Sequence, residues 1–408
     1  MLIKVSAPSG LAIHLISQID AEVERKPVKE QASIQTIEAQ AIEVANQFAA
    51  FVKGAGKTLD ICIYDFRLSL PAVSQKIVDA IKDAAARGVA VRVAFDANQK
   101  SDEEIIKQFQ GAGGDPAPTG THLFVKDELE PLVETQAIAE QEVPAAPLAA
   151  VSDEPIAPGS QIMHQKYMIA DAGTDQAVVW MGSANFTVDA WALQDNNIAV
   201  ISSRDLAAKY SKDFEALWAS GKLSHTGEDD LGSVTVNGIE VRYAFAPGEG
   251  EAIRDLIVEV VSGAKQRIRI ASMVTSSKEI LEALKQQIDA GIDFGGVYDE
   301  GQSTGFQDDW QANPKTAEKA ALLEAVLAHL VPKHSLRFDQ HHPDNAHNFM
   351  HNKLVVADDT ILTGSFNFST NAMSNAENVV SLSEPNLAKS LADYIDGLTA
   401  RYGAAHPG

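Results

Sequence analysis

The chain has 408 residues, with 33 Lys+Arg against 56 Asp+Glu and a formal net charge of −23. That balance excludes a broad basic surface for gripping nucleic acid and disfavours adsorption to anionic membranes. With 45% hydrophobic residues the length suits two sizeable cores, and the single cysteine, Cys62, excludes an intramolecular disulfide.

The first residues, MLIKVSAPSGLAIHLISQID, lack the form of a secretory signal, because their one apolar run is broken by His14. No window reaches the roughly 18 apolar residues of a membrane span, so a soluble, cytoplasmic protein is expected. Next, AQAIEVANQFAAFVKGAG carries apolar residues at helical spacing, and TLDICIYDFRL alternates as a strand with Cys62 in its core. AVSQKIVDAIKDAAARGVAVRVAFDA predicts a helix, an Arg-Gly turn and a second strand. The same order recurs from GEAIRDLIVEVVSGA (helix) through QRIRIASMV (strand) to KEILEALKQQIDAGIDFGGVYDE (helix, Gly turn, strand). Strand–helix–strand with a Gly turn is the signal of parallel pairing.

Later strands are predicted at NNIAVIS and ENVVSLS, and a hairpin turning at Asn237-Gly238 opens the second half. The polar, Gly-rich SGKLSHTGEDDLGSVTVNG separates the halves, giving units of 1–225 and 235–408. The expected fold class is α/β: two similar α/β/α halves with mixed, largely parallel sheets, packed about a pseudo-twofold axis.

Two insertions break the repeat. Residues 127–155 hold eight acidic residues and no basic one, and are expected to form a mobile loop that could act as a lid. Residues 300–349 are expected to hold one helix and then a polar run, HHPDNAHNFMH. Its His341, His342, His347 and His351 fit no established zinc spacing, so the run is taken as a polar loop beside the cleft, with His341 or His342 in reach of substrate. Trp180, Trp191 and Trp218 are assigned to packing and Trp310 to a substrate contact. GAGGD at 111–115 is taken as a turn.

The chemistry concentrates in a second repeat. From Met163 the chain reads MHQKYMIADAGTDQAVVWMGSANFT, and from Met350 it reads MHNKLVVADDTILTGSFNFST. Packing alone has no reason to reproduce His, Lys, Asp, Ser and Asn in order and spacing. With strand periodicity His164 and Lys166 share one face, as do His351 and Lys353. Such a pair makes a poor core and a good anion site, with a fixed charge from Lys and a nucleophile, acid or base from His. If both pairs face one cleft, one imidazole can attack phosphorus while the other protonates the departing oxygen. The lysines and the motif amides then hold the non-bridging oxygens. No metal and no other cofactor is needed for this chemistry.

These motifs resemble the HKD signatures of the phospholipase D superfamily. The resemblance covers most of the chain and is weakest in the first 35 residues and the two insertions. It implies a covalent phosphohistidine with His164 as nucleophile and His351 as general acid, then base. It puts Lys166, Lys353, Asn185 and Asn367 at phosphate-holding positions, with Ser183 and Ser365 beside them. Asp171 and Asp358 complete the motif and are expected to be structural. Members of the family also carry a downstream carboxylate that accepts the other imidazole N–H. Glu377 stands at that place in the second half, Asn196 aligns opposite it in the first, and a one-residue shift would put Asp195 there. On this alignment Glu377 raises the pKa of His351, the acid, and Asn196 leaves His164 neutral.

The resemblance thus implies a phosphoric diester hydrolase of the phospholipase D type, removing phospholipid head groups or transferring them to alcohols. A monomer with an internal pseudo-dimer and peripheral contact with a lipid surface is expected. A nuclease of the same superfamily acting on DNA or RNA, and a catalytically silent binding protein on the same fold, stay open as alternatives. Cardiolipin-synthase-like chemistry ranks lower for want of a membrane segment.

Overall fold

Each half of the chain builds one eight-stranded sheet, and the two sheets have the same strand order. The computed structural model describes residues 2–6, 10–18, 34–96, 128–129, 131–138, 161–223, 226–335 and 348–405. The first sheet runs β1 (Leu2–Ser6), β2 (Leu11–Ile16), β10 (Asn196–Ser202), β8 (Val178–Gly182), β7 (Lys166–Ala170), β3 (Thr58–Ile63), β5 (Ala90–Asp96), β6 (Glu134–Ile138). The second runs β11 (Leu231–Val236), β12 (Ile239–Ala246), β18 (Glu377–Ser383), β17 (Thr360–Gly364), β16 (Lys353–Ala357), β13 (Arg267–Ser272), β14 (Asp293–Asp299), β15 (Val331–Lys333). The N-terminal hairpin is therefore the counterpart of β11–β12, so the duplication includes the first residues, where the sequence shows it least.

The sheets are mixed but not largely parallel. Only β3–β5 and β5–β6, with β13–β14 and β14–β15 opposite them, run parallel; the remaining pairings within the two sheets are antiparallel. The βαβ signal holds at its own strands, β3–β5 and β13–β14. It does not extend past the motif strands, which turn back through short hairpins that permit only antiparallel pairing.

Helices α1 (Ile34–Gly54) and α2 (Pro71–Ala86) cover the outer face of the first sheet. Pro71 opens α2, where its missing N–H costs nothing, and Val73, Ile77, Ile81 and Ala84 form its buried stripe. The short α3 (Val188–Ala192) is capped by Thr187, whose side chain accepts from Ala190 N. Helices α5 (Gly250–Gly263), α6 (Lys278–Asp289) and α8 (Ala317–Leu327) cover the second sheet in the same way. The inner faces of both sheets share one core with α4 (Arg204–Ser220) and α9 (Pro385–Ala405). Strand β7 shows the consequence: Tyr167 and Ile169 enter that shared core, while Met168 and Ala170 enter the outer one.

Both insertions hold more regular structure than expected. Residues 134–138 of the acidic segment form β6, paired parallel with β5, so this part is not a loop. The second insertion contributes α7 (Glu300–Ala312) as well as α8, and then β15. The Asn237-Gly238 turn is as expected, with φ of 49° and 87° as a two-residue hairpin loop requires. Residues 336–347, with His341, His342 and His347, and residues 111–115 lie outside the described residues. No helix among the described residues is long and apolar enough to cross a membrane.

Candidate active site

Lys166 and Lys353 are the first residues of β7 and β16. Their histidines stand two residues earlier, where each motif crosses to the other half. His164 N donates to Ala376 O at 2.9 Å, and His351 N donates to Asp195 O at 3.0 Å. Isolated parallel bridges Met163–Ala376 and Asp195–Met350 repeat the crossing, and these reciprocal contacts define the pseudo-twofold relation. Asp96 and Asp299 close β5 and β14, and each accepts the backbone N–H before a histidine, Met163 N and Met350 N, at 2.7 Å. Each lysine hooks back beneath its own histidine: Lys166 Nζ donates to His164 O at 2.7 Å and Lys353 Nζ to His351 O at 2.8 Å.

The crossing overturns the assignment of the imidazole partners. Glu377 binds His164, with Nδ1 to the two carboxylate oxygens at 2.8 and 2.9 Å. Asn196 binds His351, with Oδ1 2.9 Å from Nδ1. The alignment of Asn196 with Glu377 is right, but each serves the histidine of the opposite half, because β10 and β18 start against the other half's motif. Asp195 touches neither imidazole; its carboxylate accepts from Lys333 Nζ, Tyr402 OH and Gln18 N.

The Gly-Ser pair of each motif packs this arrangement. A Cβ on Gly182 would lie 2.3 Å from Asn197 O, and one on Gly364 2.0 Å from Asn378 O, so only glycine lets the strands approach so closely. Ser183 Oγ donates to Asn196 Oδ1 at 2.8 Å and accepts from Asn197 N at 3.0 Å. Ser365 Oγ accepts from Asn378 N at 3.0 Å and hydrogen-bonds the Glu377 carboxylate. Both hydroxyls are therefore committed to the groups that hold the imidazoles, which corrects their assignment to phosphate. Asn185 and Asn367 differ: each has a buried side-chain oxygen with no hydrogen-bond partner among the described residues.

Asp171 and Asp358 take left-handed backbone conformations, with φ of 53° and 52°. Their carboxylates accept N–H groups of Gly56, Lys57 and Thr58, and of Lys265, Gln266 and Arg267. They clamp the entry to β3 and β13 at the end of the motif strands remote from the histidines.

The site's electrostatics follow from burial. Burial, with the Lys166 and Lys353 ammonium groups, holds His164 well below 6.5, and burial with the same two lysines does so for His351. Each imidazole is thus within electrostatic reach of both lysines. Burial lowers Lys166 to about 7 against the pull of Glu377, Asp65 and Asp96, and lowers Lys353 well below 10.5 with help from Lys166. Burial raises Glu377 to about 8, opposed by Lys166. Burial and the two lysines favour the neutral imidazole at His164, whose Nδ1 lies against the Glu377 carboxyl and whose ring also contacts the Ser365 backbone.

Trp310 is not at the site. It packs with the outer core of the second half, with Lys319 Nζ 4.0 Å above its ring. Among the described residues no group of three or more His, Cys, Asp or Glu could hold a metal. Several contributors were missed. Tyr64 packs edge-on to His164 at 5.0 Å and lies 5.0 Å from Lys166 Nζ, a place held by Met273 beside Lys353. Asn197 Nδ2 reaches Asn352 Oδ1 at 2.9 Å, and Asn378 Nδ2 donates to Gln165 Oε1, both across the halves. Asp96 and Asp299 carried a visible signal, an Asp ending the second strand of both βαβ units.

The family model described as "Cardiolipin synthase, PLD-like domain" matches residues 48–218 and 257–399. The chain therefore belongs to the phospholipase D superfamily, whose members act on phosphodiesters. Phosphatidylserine synthase from Haemophilus influenzae Rd KW20 has the same fold, with a TM-score of 0.57 and 13% identity over 88% of this chain and 84% of its own. Nuc from Salmonella typhimurium, described as a phospholipase D family member, is 27% identical over 38% of this chain and 91% of its own, with a TM-score of 0.30. No curated protein sequence matches the chain.

Proposed function

We propose that the protein cleaves a phospholipid phosphodiester in two in-line steps through a phosphohistidine on Nε2 of His164. The observation that carries this reading is the pair of unlike imidazole partners, a carboxylate on His164 and an amide on His351. When Nε2 of His164 bonds to phosphorus the ring becomes cationic, and Glu377 stabilises that charge through Nδ1–H. Asn196 stabilises an imidazolium much less, so a protonated His351 is the stronger acid and gives up its Nε2 proton readily.

In the first step the His164 Nε2–P bond forms and the P–O bond to the leaving group breaks, while His351 protonates the departing oxygen. His351, depressed by burial and both lysines, takes up that proton from solvent when the bound phosphate anion offsets the lysine charges. Lys166, Lys353 and the amides of Asn185 and Asn367 hold the non-bridging oxygens. In the second step His351, now neutral, takes a proton from water. The water oxygen bonds to phosphorus, and the N–P electron pair returns to His164. An alcohol in place of water gives the transfer product from the same intermediate. The donor set meets the phosphate charge by itself, so turnover is expected to survive EDTA.

Charge supports a lipid over a polynucleotide. Arg67, two residues after Asp65 near the nucleophile, is held by the Asp65 carboxylate, and Lys333 is paired with Asp195. Among the described residues these two cations are thus already neutralised, and the net charge of −23 repels a polyanion. The test is incubation with phosphatidylcholine vesicles and, separately, single-stranded DNA, with EDTA present. Choline release that vanishes in His164→Ala is the expected result. Shortened DNA without choline release would replace the lipid by a nucleic acid, and loss of all activity in EDTA would overturn the metal-free mechanism.

A further inference from the structure

We infer that the buried ion pair Asp195–Lys333 is a positioning device for the acid/base histidine, His351, and serves that histidine alone. The inference rests on the two-step reading above. Asp195 immediately precedes Asn196, the residue that holds the His351 imidazole. Every polar atom of Asp195 is engaged. Its N–H donates to Phe349 O at 3.1 Å and its C=O accepts from His351 N at 3.0 Å. Oδ1 accepts from Gln18 N at 3.1 Å, and Oδ2 from Lys333 Nζ at 2.7 Å and Tyr402 OH at 2.6 Å. Lys333 Nζ also donates to Phe349 O at 3.1 Å. The two charged side chains are fully buried, and they tie Asn196 and the chain entering His351 to Gln18 just after β2, to β15 and to α9.

The pseudo-twofold relation gives this cluster an internal control. In strand register Lys333 lies opposite Asp299, and its counterpart opposite Asp96 is Ile138. The counterpart of Asp195, bridged to Met163 as Asp195 is to Met350, is Ala376. The nucleophile side therefore has an apolar pair where the acid/base side has an ion pair. A buried ion pair is weak as a source of stability, but it fixes geometry tightly once all its hydrogen bonds are made. His351 needs such precision twice per turnover, first to deliver a proton to the leaving oxygen and then to take one from water. His164 is already oriented by a carboxylate.

Bis(p-nitrophenyl) phosphate separates the two steps. Its first p-nitrophenolate leaves without a proton, so formation of the His164 adduct needs no acid, whereas hydrolysis of the adduct needs His351 as base. In the variant Asp195→Asn/Lys333→Met, which removes both charges at similar volume, the rate of adduct formation is expected to stay within about twofold of wild type. Steady-state turnover falls about a hundredfold, and p-nitrophenyl phosphate bound to His164 accumulates in alkali-quenched digests. Lys333→Arg, which keeps the charge, restores most of the turnover. Equal slowing of both steps, or no slowing of either, at unchanged melting temperature overturns the proposal. If the double variant does not fold, Tyr402→Phe removes one hydrogen bond to the same carboxylate. It is expected to slow only the second step, by about fivefold; equal slowing of both steps, or none, overturns the proposal. His351→Ala tests the underlying mechanism separately. It must trap the His164 adduct, and absence of adduct there overturns the covalent reading and this inference together.

Discussion

Glu377 Oε1 lies 2.8 Å from Nδ1 of His164, a residue 213 positions earlier and in the other half of the chain. When Glu377 is ionised, as it is above its raised pKa of about 8 or once the ring becomes cationic, it accepts Nδ1–H and leaves the proton off Nε2, the attacking nitrogen. In Glu377→Gln the amide can present N–H to Nδ1, which favours the opposite tautomer and places the proton on the attacking nitrogen. The expected loss in kcat is up to about ten-thousandfold, by comparison with the effect of the equivalent change in a Ser-His-Asp triad. KM changes little, because the phosphate ligands remain. A loss below about tenfold, read from choline release or p-nitrophenol release, would mean that another group orients His164.

The opposite partner makes the converse prediction. Asn196→Asp would give His351 a buried carboxylate, raise its pKa and make it a weaker acid. Ser183 Oγ, which now donates to Asn196 Oδ1, can donate to either oxygen of the aspartate, so the packing survives. The limb of the pH–rate profile that reports the acid is expected to move to higher pH, with turnover of poor leaving groups reduced. Combined with Glu377→Asn it reverses the asymmetry, and labelling by substrate phosphate should begin to appear on His351. A pH profile that does not move would sink the assignment of His351 as the group controlled by residue 196.

The depressed lysines predict proton uptake on anion binding. With its pKa at about 7, Lys166 is mostly neutral in the free protein at pH 8, and burial shifts Lys353 in the same direction. A bound anion favours the charged forms and returns both pKa values upwards. Binding of sulfate, which does not itself titrate there, should be accompanied by net proton uptake at pH 8, with Lys166 contributing up to about one proton. Calorimetry in buffers of different ionisation enthalpy reads this directly, and affinity should fall as pH rises. An observed enthalpy independent of buffer would mean that the lysines are already charged in the free site.

The parts of the site legible in the sequence were those that repeat. His164, Lys166 and Asn185 return as His351, Lys353 and Asn367, and a local strand pattern is enough to align them. The partner swap was not legible. Alignment equates Asn196 with Glu377 but carries no information on which half each one faces, a fact set by how β10 and β18 cross the pseudo-twofold axis. The sheet was misjudged for a related reason. The βαβ signal at β3–α2–β5 is local and strong, whereas the antiparallel return through β7, β8 and β10 depends on pairing between distant segments. Lys333 was invisible because its partner, Asp195, is 138 residues away in sequence. Trp310 was misplaced because a polar neighbourhood in sequence does not reveal that Lys319, nine positions on, lies across its ring.

Asp171 and Asp358 separate a structural motif residue from a chemical one. Each carboxylate accepts several backbone N–H groups and each residue sits at positive φ. Ala at either place loses those hydrogen bonds and adopts the left-handed conformation less readily than Asp. Asp171→Ala and Asp358→Ala should each lower stability by about 2–3 kcal/mol in urea unfolding, while kcat of the folded fraction stays within about threefold. Asn, which also tolerates positive φ, should recover part of the loss. A drop in kcat of about a hundredfold without loss of stability would place these carboxylates in the chemistry after all.

Asp213 lies behind the first motif, where its Oδ2 accepts from Gln165 Nε2 at 3.1 Å and from Tyr167 OH at 2.7 Å. Its place on α4 faces the residue between His164 and Lys166, and burial raises its pKa to about 8 against the pull of the Tyr167 hydroxyl. Because the folded value lies above the unfolded one, the folded state binds more protons between about pH 4 and pH 8. The stability Asp213 contributes is therefore complete below about pH 4 and is lost as pH rises through about 8, at about 1.4 kcal/mol per unit across that window. Asp213→Asn removes the titration while keeping an oxygen to accept from Gln165 and Tyr167. Urea midpoints of the wild type should decline more from pH 5 to pH 8 than those of the variant, and the two curves should run parallel above about pH 9. Curves that stay parallel throughout would show that Asp213 is ionised in the folded protein at pH 5, with its charge met by Tyr167, Gln165 and the neighbouring Lys212.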